Sequence, residues 1–134
     1  NTAMLALVGR DVTVAGDEVH VAAGEATGTM LNAGGPGVAE VTIRDADGVV
    51  VATYQEEVDA GLNEIGWDGL GPDGDPVADG AYTVEVAVTD TDGEDVQSEV
   101  LMTGPVGGLR YEQGVAVVNV FGTEFYVADI YQVS

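Results

Sequence analysis

Apolar and polar positions alternate with a period of two through most of this chain. Val41 and Ile43 are interleaved with Glu40, Thr42 and Arg44, and Tyr82, Val84, Val86 and Val88 with Thr83, Glu85, Ala87 and Thr89. Successive side chains of a strand point to opposite faces, so this pattern predicts strands with one face in a core and one in water. Val12 and Val14, then Val19 and Val21, alternate on either side of the turn signal Ala15-Gly16-Asp17. Met30 and Leu31 lead into a breaker cluster at 33–37, residues 49–55 return as the partner of the 40–44 strand, and Asn63, Ile65 and Trp67 share one face of the next strand. Further strands are predicted over 96–102, 115–120 and 125–130, the last two hinged at Phe121-Gly122-Thr123. No helix-period segment of useful length occurs; only residues 58–62 and the first few residues are candidates for a helical turn.

Two turns have the same form, Asp45-Ala46-Asp47-Gly48 and Asp90-Thr91-Asp92-Gly93. Each predicts a hairpin tip, with the glycine supplying a positive φ. Many short, evenly spaced strands indicate an all-β sandwich or small barrel. Residues 24–103 hold enough strands for an immunoglobulin or fibronectin III-like sandwich. The flanks, 1–23 and 104–134, are each too short to bury a core alone. They are expected to pair as one small barrel, into which the sandwich is inserted.

Charge narrows the partners. There are 24 acidic residues against Arg10, Arg44 and Arg110, with no lysine, for a net charge of −21. Such a surface repels phosphates and anionic headgroups, so neither nucleic acid nor a membrane is an expected partner. The apolar share of 46% argues for a packed domain despite that charge. Apolar runs such as 4–8 and 49–52 are far too short to span a bilayer. The acidity suits a well-hydrated export substrate, or adaptation to high salt, where ions screen self-repulsion. Without cysteine there is no disulfide and no thiolate metal site. The chain opens at Asn1, and an N-terminal part carrying any export signal is expected to be missing.

The stretch from Trp67 to Val86, WDGLGPDGDPVADGAYTVEV, concentrates five carboxylates among glycines and prolines. As a calcium loop it fails: Asp73 and Asp75 alternate, but Val77 breaks the series and no glutamate closes it. Its carboxylates are better suited to capping turns, with Asp68 in an Asx-type turn, Gly69 in a conformation closed to other residues, and Trp67 and Tyr82 entering the core. Elsewhere, Ser98 falls in a strand and Ser134 is the last residue, so the lone His20 has no nucleophile to serve. Paired carboxylates for glycoside hydrolysis cannot be named from abundance alone. Gly104-Pro105-Val106-Gly107-Gly108 lacks the lysine and helix of a phosphate loop. No catalytic, cofactor-binding or metal-binding residue is therefore expected, and no cofactor.

Trp67-Asp68-Gly69, then Gly74, then Asp79-Gly80 and Tyr82 ahead of an alternating strand resembles the flagellar hook-capping (FlgD) family. Leu7-Val8-Gly9-Arg10-Asp11-Val12 near the start and Gly104-Pro105-Val106-Gly107-Gly108-Leu109 with Val127, Asp129 and Ile130 near the end are similar to the segments that bound that family's C-terminal region. Gly71 departs from the acidic residue common in the loop. The resemblance implies a Tudor-like (SH3-like) barrel interrupted by an immunoglobulin or fibronectin III-like sandwich. It also implies a non-catalytic scaffold, exported through the flagellar secretion channel to the tip of the growing hook. There it would assemble hook subunits and self-associate into a cap, with help from the family's N-terminal region. Two rival readings share the sandwich: a binding module of another secreted or cell-surface protein, marked by exposed aromatics on a sheet face, and a hydrolase, marked by two facing carboxylates.

Overall fold

The computed structural model describes residues 6–134. Its strands are β1 (Asp11–Ala15), β2 (Glu18–Ala22), β3 (Glu25–Ala26), β4 (Thr29–Ala33), β5 (Gly37–Arg44), β6 (Val50–Val58) and β7 (Gly61–Ile65). They continue with β8 (Gly80–Thr89), β9 (Asp95–Val96), β10 (Ser98–Glu112), β11 (Val115–Val120), β12 (Thr123–Tyr126) and β13 (Gln132–Val133). The chain forms two compact units: a central one, Gly16–Met102, and a flanking one built from the residues before 16 and after 102.

In the central unit, one antiparallel sheet has the order β3-β2-β8-β5-β6, with β9 also paired to β8. The second is β7-β4-β10, the last through its residues 98–102. The alternation places Ala39, Val41 and Ile43 of β5 and Tyr82, Val84 and Val88 of β8 inside, with Leu31 and Ala33 of β4 and Ile65 of β7 in the same cluster. One core shared by two sheets is an immunoglobulin/fibronectin III-like sandwich. Each fully buried aliphatic side chain contributes about 2 kcal/mol relative to exposure. Register pins the pattern, Val41 standing opposite Val86 on β8 and Tyr54 on β6. The sandwich is expected to begin at residue 24, but Val19 and Val21 are 1% and 3% exposed within this core, and β2 pairs with β8. Strand β2 therefore belongs to the central unit.

The flanking unit is a curled sheet, β12-β11-β10-β1-β13, with β10 contributing residues beyond 102. Val12, Val14, Val106, Val117, Val118 and Val120 are buried there. The hydroxyl of the buried Thr13 shares a hydrogen bond of 2.8 Å with that of Thr103. This is the Tudor-like barrel, to which both flanks of the chain contribute strands.

Three sequence expectations are corrected. The strand predicted over 96–102 runs further, and residues 104–108 are part of β10. Gly104 is there because a Cβ would lie 2.4 Å from the Phe121 ring, and the register shifts between Val106 and Gly108, so the glycines serve close approach and a bulge. Val127–Asp129, read as strand, is a single 3-10 turn closed by Ile130 N–H donating to the Val127 carbonyl. Residues 58–62 are not helical: they are the end of β6, a bend, and the start of β7. The bend is tied by Asn63, whose side chain accepts from Asp59 N–H at 3.0 Å and donates to the Asp59 carbonyl at 2.8 Å. The other helical candidate, the first few residues, lies outside the described residues apart from the turn beginning at 6.

Candidate functional site

The segment between β7 and β8 is a compact folded loop. Trp67 lies just past the end of β7, half-buried, and its ring meets Tyr82 edge-on at 5.4 Å between centroids and 67° between planes. Both polar handles are used: Trp67 Nε1–H donates to the Leu70 carbonyl at 3.2 Å, and the Tyr82 hydroxyl to the Ala78 carbonyl at 2.6 Å. Buried aromatics keep such partners because an unpaired N–H or O–H in a core is costly. Asp68 accepts from Leu70 N–H at 3.0 Å, an Asx turn. Gly69 has φ +75, and a Cβ on it would also approach the Gly24 carbonyl oxygen at 3.3 Å. Asp79 reaches across to cap Ala23 N–H at 3.1 Å. The loop closes on itself through Gly71 N–H to the Asp75 carbonyl, Gly74 N–H to Gly71, and Val77 N–H to Gly69. Gly74 and Gly80 also hold positive φ. Within these contacts, Asp68 and Asp79 act as turn caps.

The other acidic turns repeat one plan. Asp45 Oδ1 accepts from Asp47 and Val49 N–H, at 2.9 and 3.0 Å, and Asp90 Oδ1 accepts from Asp92 and Glu94 N–H at the same two distances. Gly48 and Gly93 complete the tips with φ of 83° and 80°. Ser98 stands opposite Ala33 in the ladder, and the His20 ring lies 3.0 Å from Glu18 on the same strand. Among the described residues, no three His, Asp or Glu side chains gather as a metal-binding group, and no helix is long and apolar enough to cross a membrane.

A concavity of about 710 Å³ runs between β6 and the 66–74 segment of this loop. Tyr54 and Trp67 line it together with Glu56, Asp68, Leu70 and Pro72. The Tyr54 hydroxyl oxygen is shut off from solvent and has no hydrogen-bond partner among the described residues. Burial, reinforced by the Glu56 and Asp68 carboxylates, pushes its pKa up to about 12. Sequence reasoning missed this cleft. Tyr54 falls in an ordinary alternating position, and nothing local signals that its hydroxyl lacks a partner.

A family model for the FlgD Ig-like domain matches residues 16–92, beginning at the residue where the central unit begins. The chain belongs to the FlgD Ig-like domain family. Among solved structures, FlgD from Xanthomonas campestris is 26% identical over 96% of this chain and 95% of its own, with a TM-score of 0.81. FlgD from P. aeruginosa has the same fold at 23% identity over 96% of this chain and 98% of its own, again with a TM-score of 0.81. Truncated FlgD from Helicobacter pylori is more distant, with 14% identity over 96% of this chain and 94% of its own and a TM-score of 0.57. No curated protein matches. The likeness to the solved structures extends beyond the sandwich to the barrel unit, which the family model leaves unmatched.

Proposed function

We propose that this chain is the non-catalytic scaffold portion of a flagellar hook cap, promoting assembly of hook subunits at the growing distal end. The observation that carries the reading is the match to FlgD across both units, sandwich and barrel, at 26% identity over 96% of the chain. The Xanthomonas campestris relative is described in terms of hook capping essential for flagellar assembly. On this reading the chain is exported through the flagellar secretion channel and works outside the cell at the hook tip. Its partners are hook subunits and further copies of itself, the latter association drawing on the family's N-terminal region. A cap must hold each subunit and then release it. That favours modest contacts at sandwich loops and edges over one large apolar interface.

The Trp67, Asp68, Gly69, Gly74, Asp79, Gly80 and Tyr82 set is, in this account, a structural motif that shapes the loop. The rival binding module needs aromatics exposed on a face of the sandwich, whereas Trp67 and Tyr82 pack on one another. The test is complementation of a flagellated cell that lacks its own hook-capping protein. A hook-capping protein that contains this chain is expected to restore hooks, and the same protein lacking residues 16–102 is expected to fail although it is exported. Normal hook growth with the shortened version would refute the assignment.

A further inference from the structure

Strand β6 is the terminal strand of its sheet: it is paired with β5 on one side and with no other strand among the described residues. An open edge is a row of unpaired N–H and C=O groups, and proteins ordinarily blunt such edges with short strands, charged side chains, proline, bulges or a covering loop. This one is nine residues long and has no proline, and its two charged side chains, Glu56 and Glu57, stand near its end, leaving residues 50–55 uncharged. Val49 and Val50, where it begins, are 59% and 40% exposed. The cleft under the 66–74 segment runs beside it and is floored by Tyr54 and Trp67.

Charge selects the occupant. Glu56 and Asp68 both line the cleft. Within the central unit the single cation, Arg44, is already held by Glu85 at 2.9 Å and by the Gly48 carbonyl at 3.1 Å. No basic group of the unit is left to neutralise the cleft. A second copy of this chain is a poor fit, since it has no lysine and would bring another strongly acidic surface to an acidic rim. An incoming strand from a different protein would satisfy the edge amides and carbonyls through main-chain hydrogen bonds, while its side chains chose the site.

We propose that β6 and its adjoining cleft form a strand-addition site for an extended segment of another protein, in which lysine or arginine alternates with apolar residues. The inference rests on this sheet edge and not on the hook-cap reading, so either can fail without the other. Trp67 is the only tryptophan, so its emission reports on the cleft directly. The probe is an eight-residue blocked peptide alternating valine or threonine with arginine, titrated into the full chain at low salt. The controls are the same peptide with glutamate for arginine and the same peptide with alternate backbone amides N-methylated.

The expected result is a saturable change in Trp67 emission with the arginine peptide alone, weakened by salt. Combining Glu56→Gln with Asp68→Asn, which keeps a turn-capping oxygen at 68, should weaken binding about tenfold or more, as loss of close charge pairs does. Its unchanged circular dichroism would show that the fold survives. No response to the arginine peptide, equal response to the glutamate peptide, or undiminished binding by the N-methylated peptide would each overturn the proposal.

Discussion

The two units of this molecule bury similar aliphatic side chains but carry very different charge. The sandwich holds twenty carboxylates against Arg44, a net of −19, whereas the barrel holds four against Arg10 and Arg110, a net of −2. The barrel pairs two of its four carboxylates with one arginine. Arg110 bonds Glu124 on β12, with Nη2 to Oε1 at 2.7 Å, and Glu112 at 3.1 Å, holding the Glu124 carboxyl below its ordinary range. The barrel also exposes Tyr111, Tyr126 and Tyr131. In the sandwich, by contrast, carboxylates cap turns by accepting backbone N–H groups, as Asp45 and Asp90 do, and most have no cation to meet. Local hydrogen bonds thus fix the sandwich turns while the summed charge opposes its compactness. The barrel has little of that opposition.

The largest expected effect separates the units by mechanism. Trp67→Ala removes the edge-on contact with Tyr82 and leaves a void in the sandwich, and it should cost about 3 kcal/mol in urea unfolding followed by circular dichroism. A loss of a few tenths of that would show the loop to be ornamental. In the barrel the sensitive site is a close approach instead. Gly104→Ala pushes a Cβ into the Phe121 ring and should cost about 2 kcal/mol by overpacking. The same substitution at Gly108, where a Cβ meets nothing, should be far milder, and equal losses would remove the steric explanation.

The smallest effect sits at Tyr54. Its raised pKa means that the folded state keeps a proton the unfolded chain loses near pH 10, so this group's stabilisation is complete below pH 10 and lost as pH rises through about 12. Tyr54→Phe should raise stability at neutral pH by about 1 kcal/mol, since it removes a buried hydroxyl that has no partner, and flatten the alkaline decline between those values. Stability profiles of the two proteins that stay parallel through that window would rule out Tyr54 as the source.

Much of this architecture was legible because alternation is a local property. Val41, Ile43, Val84 and Val88 announce their strands and their buried faces, and the two Asp-x-Asp-Gly turns announce their hairpin tips. Partner choice was not legible from the same pattern. Strands β1 and β2 are separated only by Gly16 and Asp17, yet β1 pairs with β13 and β2 with β8, each some sixty residues or more away in sequence. Glycine misled at Gly37, in the 33–37 breaker cluster, where it serves packing rather than turning: a Cβ there would lie 2.4 Å from the Thr89 carbonyl oxygen. The cleft beside β6 was invisible for a related reason. It depends on which strand ends a sheet and on a loop folding over it, neither of which a period of two encodes.

The charge contrast between the units is the claim on which this account rests most heavily, and amide hydrogen exchange resolved by residue at low and at molar salt tests it directly. Screening should slow exchange in the sandwich core, at Leu31, Val41 and Val84, while leaving Val12, Val118 and Val120 of the barrel nearly unchanged. Equal salt responses in the two cores, or none in either, would contradict it.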